Sequence, residues 1–178
     1  MPTYIEQPGA SDVSIAAVFD RVRILGTDTV PTADVSFTIP ANTTQNFYFV
    51  TPQGTPNSSS WEAAGVWSAE WHVITTGTNL SSRCRVGRVN RFGTIIDIGT
   101  FTAFQNLTAA TILTFAPVAP IWATDEEDCG NRIVVQIQVR NTNLTNNRTC
   151  VIRFGDTDAQ VVTDVTENSA ACRRIFIA

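Results

Sequence analysis

The single histidine of the chain, His72, is the first residue to test for chemistry, because histidine is the most frequent general base in enzymes. It falls on the opposite face of a predicted strand from Trp67 and Trp71, and a solvent-facing position is the simpler interpretation. Asp156 and Asp158, in the segment GDTDAQ, could supply a carboxylate pair, but a Gly-Asp after a strand is ordinarily a turn. Nucleophile-elbow, zinc-helix and Gly-rich phosphate-loop motifs are missing from the sequence. We therefore expect a protein that is not an enzyme and has no cofactor.

An acidic run lies within the segment TDEEDCG. It consists of Asp125, Glu126, Glu127 and Asp128. Calcium takes about six to eight oxygen ligands, several of them from carboxylates, so this run is a weak calcium candidate. It lacks the alternating spacing of a dedicated calcium loop. Since runs of like charge repel one another, a solvated surface loop is the favoured interpretation, and no metal site is predicted.

The same acidic run could instead meet an arginine-rich patch on another copy of the chain. The candidate arginines of that patch are Arg83, Arg85, Arg88 and Arg91. Ion pairs between such groups contribute more to register and to the choice of partner than to affinity.

Tryptophans offer a different kind of binding site, because sugar-binding sandwich proteins present aromatic platforms to their ligands. Trp67 and Trp71 share a strand face with small and branched apolar residues, so core packing explains them more simply. Trp61 follows a serine-rich turn and Trp122 follows a proline, and both are expected at the surface. These two are the candidates for a glycan-binding rim.

The cysteines do not form a recognisable metal or redox motif. They are Cys84, Cys129, Cys150 and Cys172. No two are spaced as C-x-x-C, which disfavours zinc, and four cysteines leave three disulfide connectivities open. Free thiols are expected, since the sequence shows no secretory signal. A particle that later meets oxidising surroundings could still acquire disulfides.

The elements that must position these residues are strands. In the stretch 131–155, Ile133, Val135, Ile137 and Val139 alternate with mostly polar neighbours, a period of two that predicts a half-buried strand. An Asn- and Thr-rich segment follows, and then Cys150, Ile152 and Phe154 alternate in the same way. This pattern predicts a hairpin with one core face and one wet face.

Similar alternation recurs along the rest of the chain, at 35–39, 47–51 and 67–73, and a second hairpin is predicted with its turn at 90–93. Turn-forming residues recur about every ten positions, and no segment has a convincing helical period. We predict an all-β fold, an antiparallel, jelly-roll-like β-sandwich of eight to ten short strands. Residues 1–12 are predicted to be an N-terminal arm and residues 13–178 a single domain.

Composition excludes several functions. The chain has 178 residues, no lysine and a net charge of −4, which disfavours sequence-independent binding to nucleic acid. No apolar run is long enough to cross a membrane, so no membrane partner is expected.

Two pattern-level motifs resemble a known group of proteins. They are W-x-x-E-W-x-V with R-x-R-V-x-R-V-N-x-x-G-x-I, over residues 67–95, and N-R-I-V-V-Q-I-Q-V-R-N-T-N with I-R-F-G-D-T-D-A, within residues 131–163. Together they are similar to β-sandwich proteins encoded among the virion structural genes of tailed phages, including cyanobacterial phages. In those proteins such hairpins recur in decoration, cement and tail components. The resemblance implies a role by assembly, as a trimer or another ring on a capsid or tail.

The expected function is therefore that of a viral structural protein located in the virion. It would bind and stabilise the phage particle as a homo-oligomer, in contact with the major capsid protein or other virion proteins. The alternative is a tail, fibre or carbohydrate-binding module that engages a glycan receptor.

Overall fold

The computed structural model describes residues 3–10, 15, 22–26, 31–52, 61–90, 92–123, 131–155, 160–162 and 165–167, and these residues form strands, turns and loops without a helix. The all-β prediction is confirmed. The strands are β1 (Thr3–Ala10), β2 (Val22–Gly26), β3 (Ala33–Ile39), β4 (Thr44–Val50), β5 (Trp61–Val66), β6 (Ser68–Thr76), β7 (Leu80–Val89), β8 (Ile95–Ile98), β9 (Gln105–Asn106), β10 (Thr111–Phe115), β11 (Val118–Ala123), β12 (Arg132–Asn141), β13 (Arg148–Phe154), β14 (Gln160–Val162) and β15 (Val165–Glu167). They outnumber the eight to ten predicted because strands as short as β9 carry no period.

Twelve of the strands form one continuous sheet that is folded over on itself. Its order is β3-β13-β6-β14-β1-β2-β4-β12-β7-β8, with β10 on β6 and β9 on β7. We call β3, β13 and β6 the first layer, and β4, β12, β7 and β8 the second layer. All pairings in this sheet are antiparallel except the parallel pair β2 and β4. A separate three-stranded sheet has the order β11-β5-β15.

The two layers enclose the main core. Phe37 of the first layer packs edge-on against Phe47 of the second, with ring centroids 4.6 Å apart. Phe154 and Phe49 meet across the same interface at 5.6 Å. The predicted core faces of both 131–155 strands lie in this one cluster of buried residues. Alternation therefore identified the buried faces correctly, because period two sorts side chains between the two faces of a strand.

The hairpin predicted for 131–155 is wrong. β12 pairs with β4 and β7, whereas β13 pairs with β3 and β6. The segment 142–147 thus crosses from the second layer to the first, and β12 and β13 share the main core without pairing with each other. Asn-rich turns suit such a crossing as well as a hairpin, because asparagine side chains hydrogen-bond nearby backbone in either.

The predicted wet face of β12 is also covered along half its length. Arg132, Val134 and Gln136 are each no more than 2% exposed. A second, smaller core lies over this end of the face; it consists of Ile15, Tyr48, Val50, Val89 and Val134, with Ile95 packed against it. Ile15 belongs to the weakly periodic N-terminal region, so sequence alone did not reveal this cover.

The second predicted hairpin is confirmed. β7 and β8 pair antiparallel, with Arg88 opposite Asp97. The turn is held by Asn90, whose Oδ1 accepts from the backbone N–H groups of Phe92 at 2.9 Å and Thr94 at 3.0 Å. Gly93 has φ of 83°, a left-handed conformation that glycine adopts without strain.

The segment predicted to be an N-terminal arm contributes to the sheet. Thr3–Ala10 form β1, which pairs with β14 on one side and β2 on the other. Two prolines and the lack of a period concealed this strand, and its pairing with distant parts of the chain is what stabilises it.

Candidate functional site: an arginine–phenylalanine ladder

A ladder of arginine and phenylalanine side chains lies on the outer face of the second layer, where it begins at the edge of the small core and runs away from it. It is built on cross-strand rows, in which residues of β7, β12 and β4 lie side by side. In one row Arg83 is opposite Gln138, and Gln138 is opposite Asn46. The Arg83 Nε donates to Gln138 Oε1 at 2.7 Å, and Gln138 Nε2 donates to Asn46 Oδ1 at 3.0 Å. The glutamine amide therefore fixes the plane of the guanidinium.

The next row repeats the arrangement. Arg85 is opposite Gln136, which is opposite Tyr48. The Arg85 Nε donates to Gln136 Oε1 at 2.7 Å, and Gln136 Nε2 donates to the Tyr48 hydroxyl at 3.3 Å. Because the two arginines are two residues apart on one strand, their side chains emerge on the same face about 7 Å apart.

Two phenylalanine rings occupy the spaces in this face. The guanidinium carbons of Arg83 and Arg85 lie 4.2 Å and 4.1 Å from the ring centroid of Phe101. Arg83 also lies 4.4 Å from the centroid of Phe104, and Arg140 lies 3.9 Å from it. The order along the ladder is thus Arg85, Phe101, Arg83, Phe104, Arg140. Each contact falls within the range of a cation–π interaction.

The segment after β8 carries the two rings, and backbone hydrogen bonds to β7 hold it in place. Gly99 N–H donates to Val86 O at 2.8 Å, and Thr102 N–H donates to Cys84 O at 2.8 Å. The Thr102 hydroxyl in turn accepts from Cys84 N–H at 3.0 Å. Backbone pairing at Thr102 therefore fixes the positions of Phe101 and Phe104, which lie on either side of it in the sequence, and makes the ladder rigid.

At its far end the ladder opens into a polar groove of about 240 Å³. Its lining consists of Asn42, Thr43, Thr44, Arg140, Asn141 and Thr142. Arg140 is exposed and belongs to both features. Hydroxyl, amide and guanidinium groups thus extend the ladder toward the crossing between the layers.

The ladder carries uncompensated positive charge. Within the described part of the chain, no carboxylate forms an ion pair with Arg83, Arg85 or Arg140. Burial lowers the pKa of the Arg85 guanidinium from its ordinary value; Tyr48 opposes that shift and the neighbouring Arg83 adds to it. Arg85 nevertheless stays protonated at neutral pH, because a guanidinium loses its proton only under strongly basic conditions. Such groups cannot act as general bases, but they bind carboxylates and phosphates well.

The arginines predicted as one patch are divided by the fold. Arg83 and Arg85 join the ladder, whereas Arg88 lies on the opposite face of β7 and pairs with Asp97 through Nε at 2.9 Å and a terminal nitrogen at 2.7 Å. Arg91 lies outside the described residues. As binding residues all four stay predictions.

The structure gives the strand positions of some of the other predicted site residues. Trp122 is opposite Ala63 in the β5–β11 pairing, two residues along β5 from Trp61, so the fold brings the two tryptophan positions onto neighbouring strands. The weak calcium candidates lie outside the described residues, which contain no cluster of three metal-ligating side chains. They are Asp125, Glu126, Glu127 and Asp128.

The enzyme candidates are not brought together among the described residues, because Asp156 and Asp158 lie outside them. His72 lies in a cross-strand row with Arg153, which is opposite Asp34. Hydrogen bonding from Arg153 holds the pKa of the Asp34 carboxyl below its usual value. Arg153 and Asp34 thus form a surface ion pair on the outer face of the first layer, with His72 in the same row.

The cysteines that the structure describes are placed where thiol chemistry is disfavoured. Cys84 and Cys150 are both buried in the main core. Burial raises the pKa of the Cys150 thiol to about 12, so it is neither nucleophilic nor easily oxidised. Cys129 and Cys172 lie outside the described residues.

Sequence reasoning missed Phe101, Phe104 and Arg140 as members of a site. Arg140 had been assigned only to the polar face of its strand. The one local signal was the alternation of arginines on β7 and glutamines on β12, which becomes a row of pairs only when the strands are neighbours.

Comparison with known proteins assigns no family. No family model matches the chain, and no curated protein matches it. Solved structures of similar arrangement include a CocE/NonD family hydrolase from Staphylococcus aureus, with 8% identity, a TM-score of 0.46 and coverage of 94% of this chain and 37% of that one. Another is infectious bursal disease virus, Gx strain, with 11% identity, a TM-score of 0.43 and coverage of 93% and 39%. The chain thus spans well under half the length of these proteins, and similarity this weak distinguishes neither a hydrolase nor a virus particle protein.

No helix among the described residues has the length and apolar character needed to span a membrane.

Proposed function

We propose that this chain is a structural protein of a virus particle, of the decoration or cement type, which binds the particle as a homo-oligomer. The observation that carries the proposal is the arginine–phenylalanine ladder. It is a pre-organised, cationic surface on paired strands, suited to contact with another macromolecule. The groups it presents bind anions and do not transfer protons.

The motifs behind the phage resemblance support the same proposal. The RVN-x-x-G motif forms the tight turn between β7 and β8, and β7 also supplies two of the ladder arginines. A homo-oligomer that presents several ladders to repeated capsid subunits would gain affinity by multivalency, even where each contact is weak. The finer features of the proposal are a trimer, contact with the major capsid protein and a location in the virion.

Particle binding tests the proposal. Purified protein is mixed with virions that lack it, and co-sedimentation is measured at several salt concentrations. We expect R83Q/R85Q to reduce binding, and rising salt to reduce binding of the natural protein, because exposed charges are screened. The control is S36E/T75E, which lowers the net charge equally and alters exposed residues of the first layer. A natural protein that runs as a monomer and never co-sediments would refute the proposal.

Glycan binding is the second candidate function. It is favoured by the polar groove beside Arg140 and by the neighbouring strand positions of Trp61 and Trp122. Retention on a glycan array that is lost in W61A/W122A would support it. Retention that is unchanged in that variant, but lost in R140A, would assign binding to the groove.

A further inference from the structure

The polar groove beside Arg140 has walls that hydrogen bonds within the protein hold in place. The N–H of Asn42 donates to the carbonyl of Asn143 at 2.8 Å, and the N–H of Asn141 donates to that of Thr43 at 2.9 Å. The side-chain amide of Asn141 is buried and hydrogen-bonds both the end of β3 and the crossing segment. The groove is therefore formed before any ligand arrives, as most small-molecule sites are.

Three groups in the groove have no hydrogen-bond partner among the residues that the structure describes. The Arg140 guanidinium lies over the ring of Phe104, and none of its N–H groups is bonded to a described residue. The same is true of the hydroxyl of Thr44, which is directly opposite Arg140, and of the side-chain amide of Asn42. All three side chains are exposed. A ligand in the groove can thus meet a cationic fork, a hydroxyl and an amide at once.

The chemistry of these groups selects a ligand with one negative charge and several hydroxyls. Among the described residues that line the groove, only Arg140 is charged, and a guanidinium matches a carboxylate with two parallel N–H groups. The hydroxyl and amide groups around it are suited to the hydroxyls of a sugar. At about 240 Å³ the groove is smaller than the pockets of about 300–1,000 Å³ that enclose drug-sized ligands, so it suits a single ring.

We propose that this groove binds the carboxylate-bearing ring of an acidic sugar. The Arg140 guanidinium binds the carboxylate, while Thr44 and Asn42 bind hydroxyls of the ring. The inference rests on the second candidate function, glycan binding, and deepens it by naming the class of sugar. It uses neither Arg83 nor Arg85, whose rows lie farther along the ladder, so it does not compete with them for the particle.

Titration followed by NMR tests the proposal. Isotope-labelled natural protein is titrated at neutral pH with glucuronate, with glucose, which has the ring without the carboxylate, and with acetate, which has the carboxylate without the ring. We expect glucuronate to shift the signals of Asn42, Thr44 and Arg140. It should bind at least about tenfold more tightly than glucose or acetate, because the charge-assisted bonds add to those of the ring.

Substitutions in the groove separate its charge from its geometry. R140Q should reduce the affinity for glucuronate to that for glucose, and R140K, which keeps the charge without the fork, should lie between R140Q and the natural protein. T44V should weaken the binding of both sugars. R153Q is the control, since it removes the same charge from the outer face of the first layer, and it should bind glucuronate like the natural protein. Thermal unfolding verifies that each variant is folded.

Equal affinities for glucuronate and glucose, or glucuronate binding that R140Q leaves unchanged, would overturn the inference. Acetate that binds as tightly as glucuronate would also overturn it, because the groove would then recognise a carboxylate alone, such as that of a protein side chain. Retention on a glycan array that is lost in W61A/W122A would still leave the second candidate function standing. A natural protein that retains neither neutral nor acidic glycans would refute that function together with the inference.

Discussion

The side chain of Asn141, the last residue of β12, is hydrogen-bonded to Ile39, the last residue of β3, with Nδ2 3.0 Å from the carbonyl oxygen. The bond joins the second layer to the first at the point where the chain crosses between them. The same amide nitrogen also approaches the carbonyls of Pro40 at 3.1 Å and Asn146 at 3.0 Å, and its Oδ1 accepts from Asn143 N–H at 2.9 Å. One buried amide therefore hydrogen-bonds backbone groups of two chain segments, the end of β3 and the crossing between the layers.

Replacing Asn141 with alanine is expected to lower the free energy of unfolding by about 2–4 kcal/mol, because buried carbonyls lose their donor. Urea unfolding followed by tryptophan fluorescence measures the change. N146A is the control, since only backbone atoms of Asn146 take part in these bonds. Equal stability of N141A and N146A would show that the amide does not hold the crossing together.

The ladder predicts an energetic coupling between Phe104 and Arg140. A double-mutant cycle with F104L and R140Q should give a coupling of about 0.5–1 kcal/mol, since leucine keeps apolar bulk but removes the ring face that attracts the cation. The corresponding cycle of F101L with R140Q is the control, because Phe101 stacks on Arg83 and Arg85 instead. Indistinguishable couplings in the two cycles would contradict the order of the ladder.

Gly87 lies at a position of β7 that has no room for a side chain. A Cβ there would lie 2.5 Å from the carbonyl oxygen of Asp97 and 2.9 Å from the Cα of Ile98, so β8 would have to move. We expect G87A to cost about 1–3 kcal/mol in urea unfolding, as overpacking does. At Gly77 the nearest atoms, at 3.2 Å and 3.3 Å, belong to the Arg148 side chain, which can yield. G77A should therefore be the milder substitution, and the reverse order would refute this interpretation.

The ion pair of Asp34 and Arg153 predicts that the stability of the protein depends on pH in the acidic range. Arg153 donates to Asp34 at 2.7 Å and 2.9 Å, and this hydrogen bonding lowers the carboxyl pKa from its ordinary 3.8. A lowered pKa stabilises the folded state above the ordinary value, and that stabilisation is lost as pH falls through the folded-state pKa. The natural protein should unfold at higher urea than D34N at pH 7, and the difference should vanish well below pH 3.8.

The R153Q background supplies the control for this row. There the pH dependence of the D34N effect should be much smaller, because the largest cause of the lowered pKa of Asp34 is gone and only the attraction of His72 is left. A gap between the natural protein and D34N that persists in strong acid would show that the ion pair is not its source.

Local pattern revealed which faces are buried, and tertiary placement decided which strands meet. The buried positions of β12 and β13 follow from alternation alone, and the Asn90–Gly93 turn from residue types that hydrogen-bond within a few positions. The partner of β12 did not follow, because alternation carries no information about which strand lies alongside. For the same reason, only part of the ladder could be predicted from the sequence. Arg83 and Arg85 are close together in the sequence, whereas Phe104 and Arg140 come from other parts of the chain.

The position of β12 and β13 in the chain has a consequence for biosynthesis. Among the strands that the structure describes, β4 and β7 are joined only through β12, and β3 and β6 only through β13. A nascent chain that has emerged only to residue 130 holds the outer strands of both layers without the strand that belongs between them. Since pairing of distant segments is slow and leaves strand edges exposed, the ribosome-bound intermediate should depend on chaperones until about the last quarter of the protein is made.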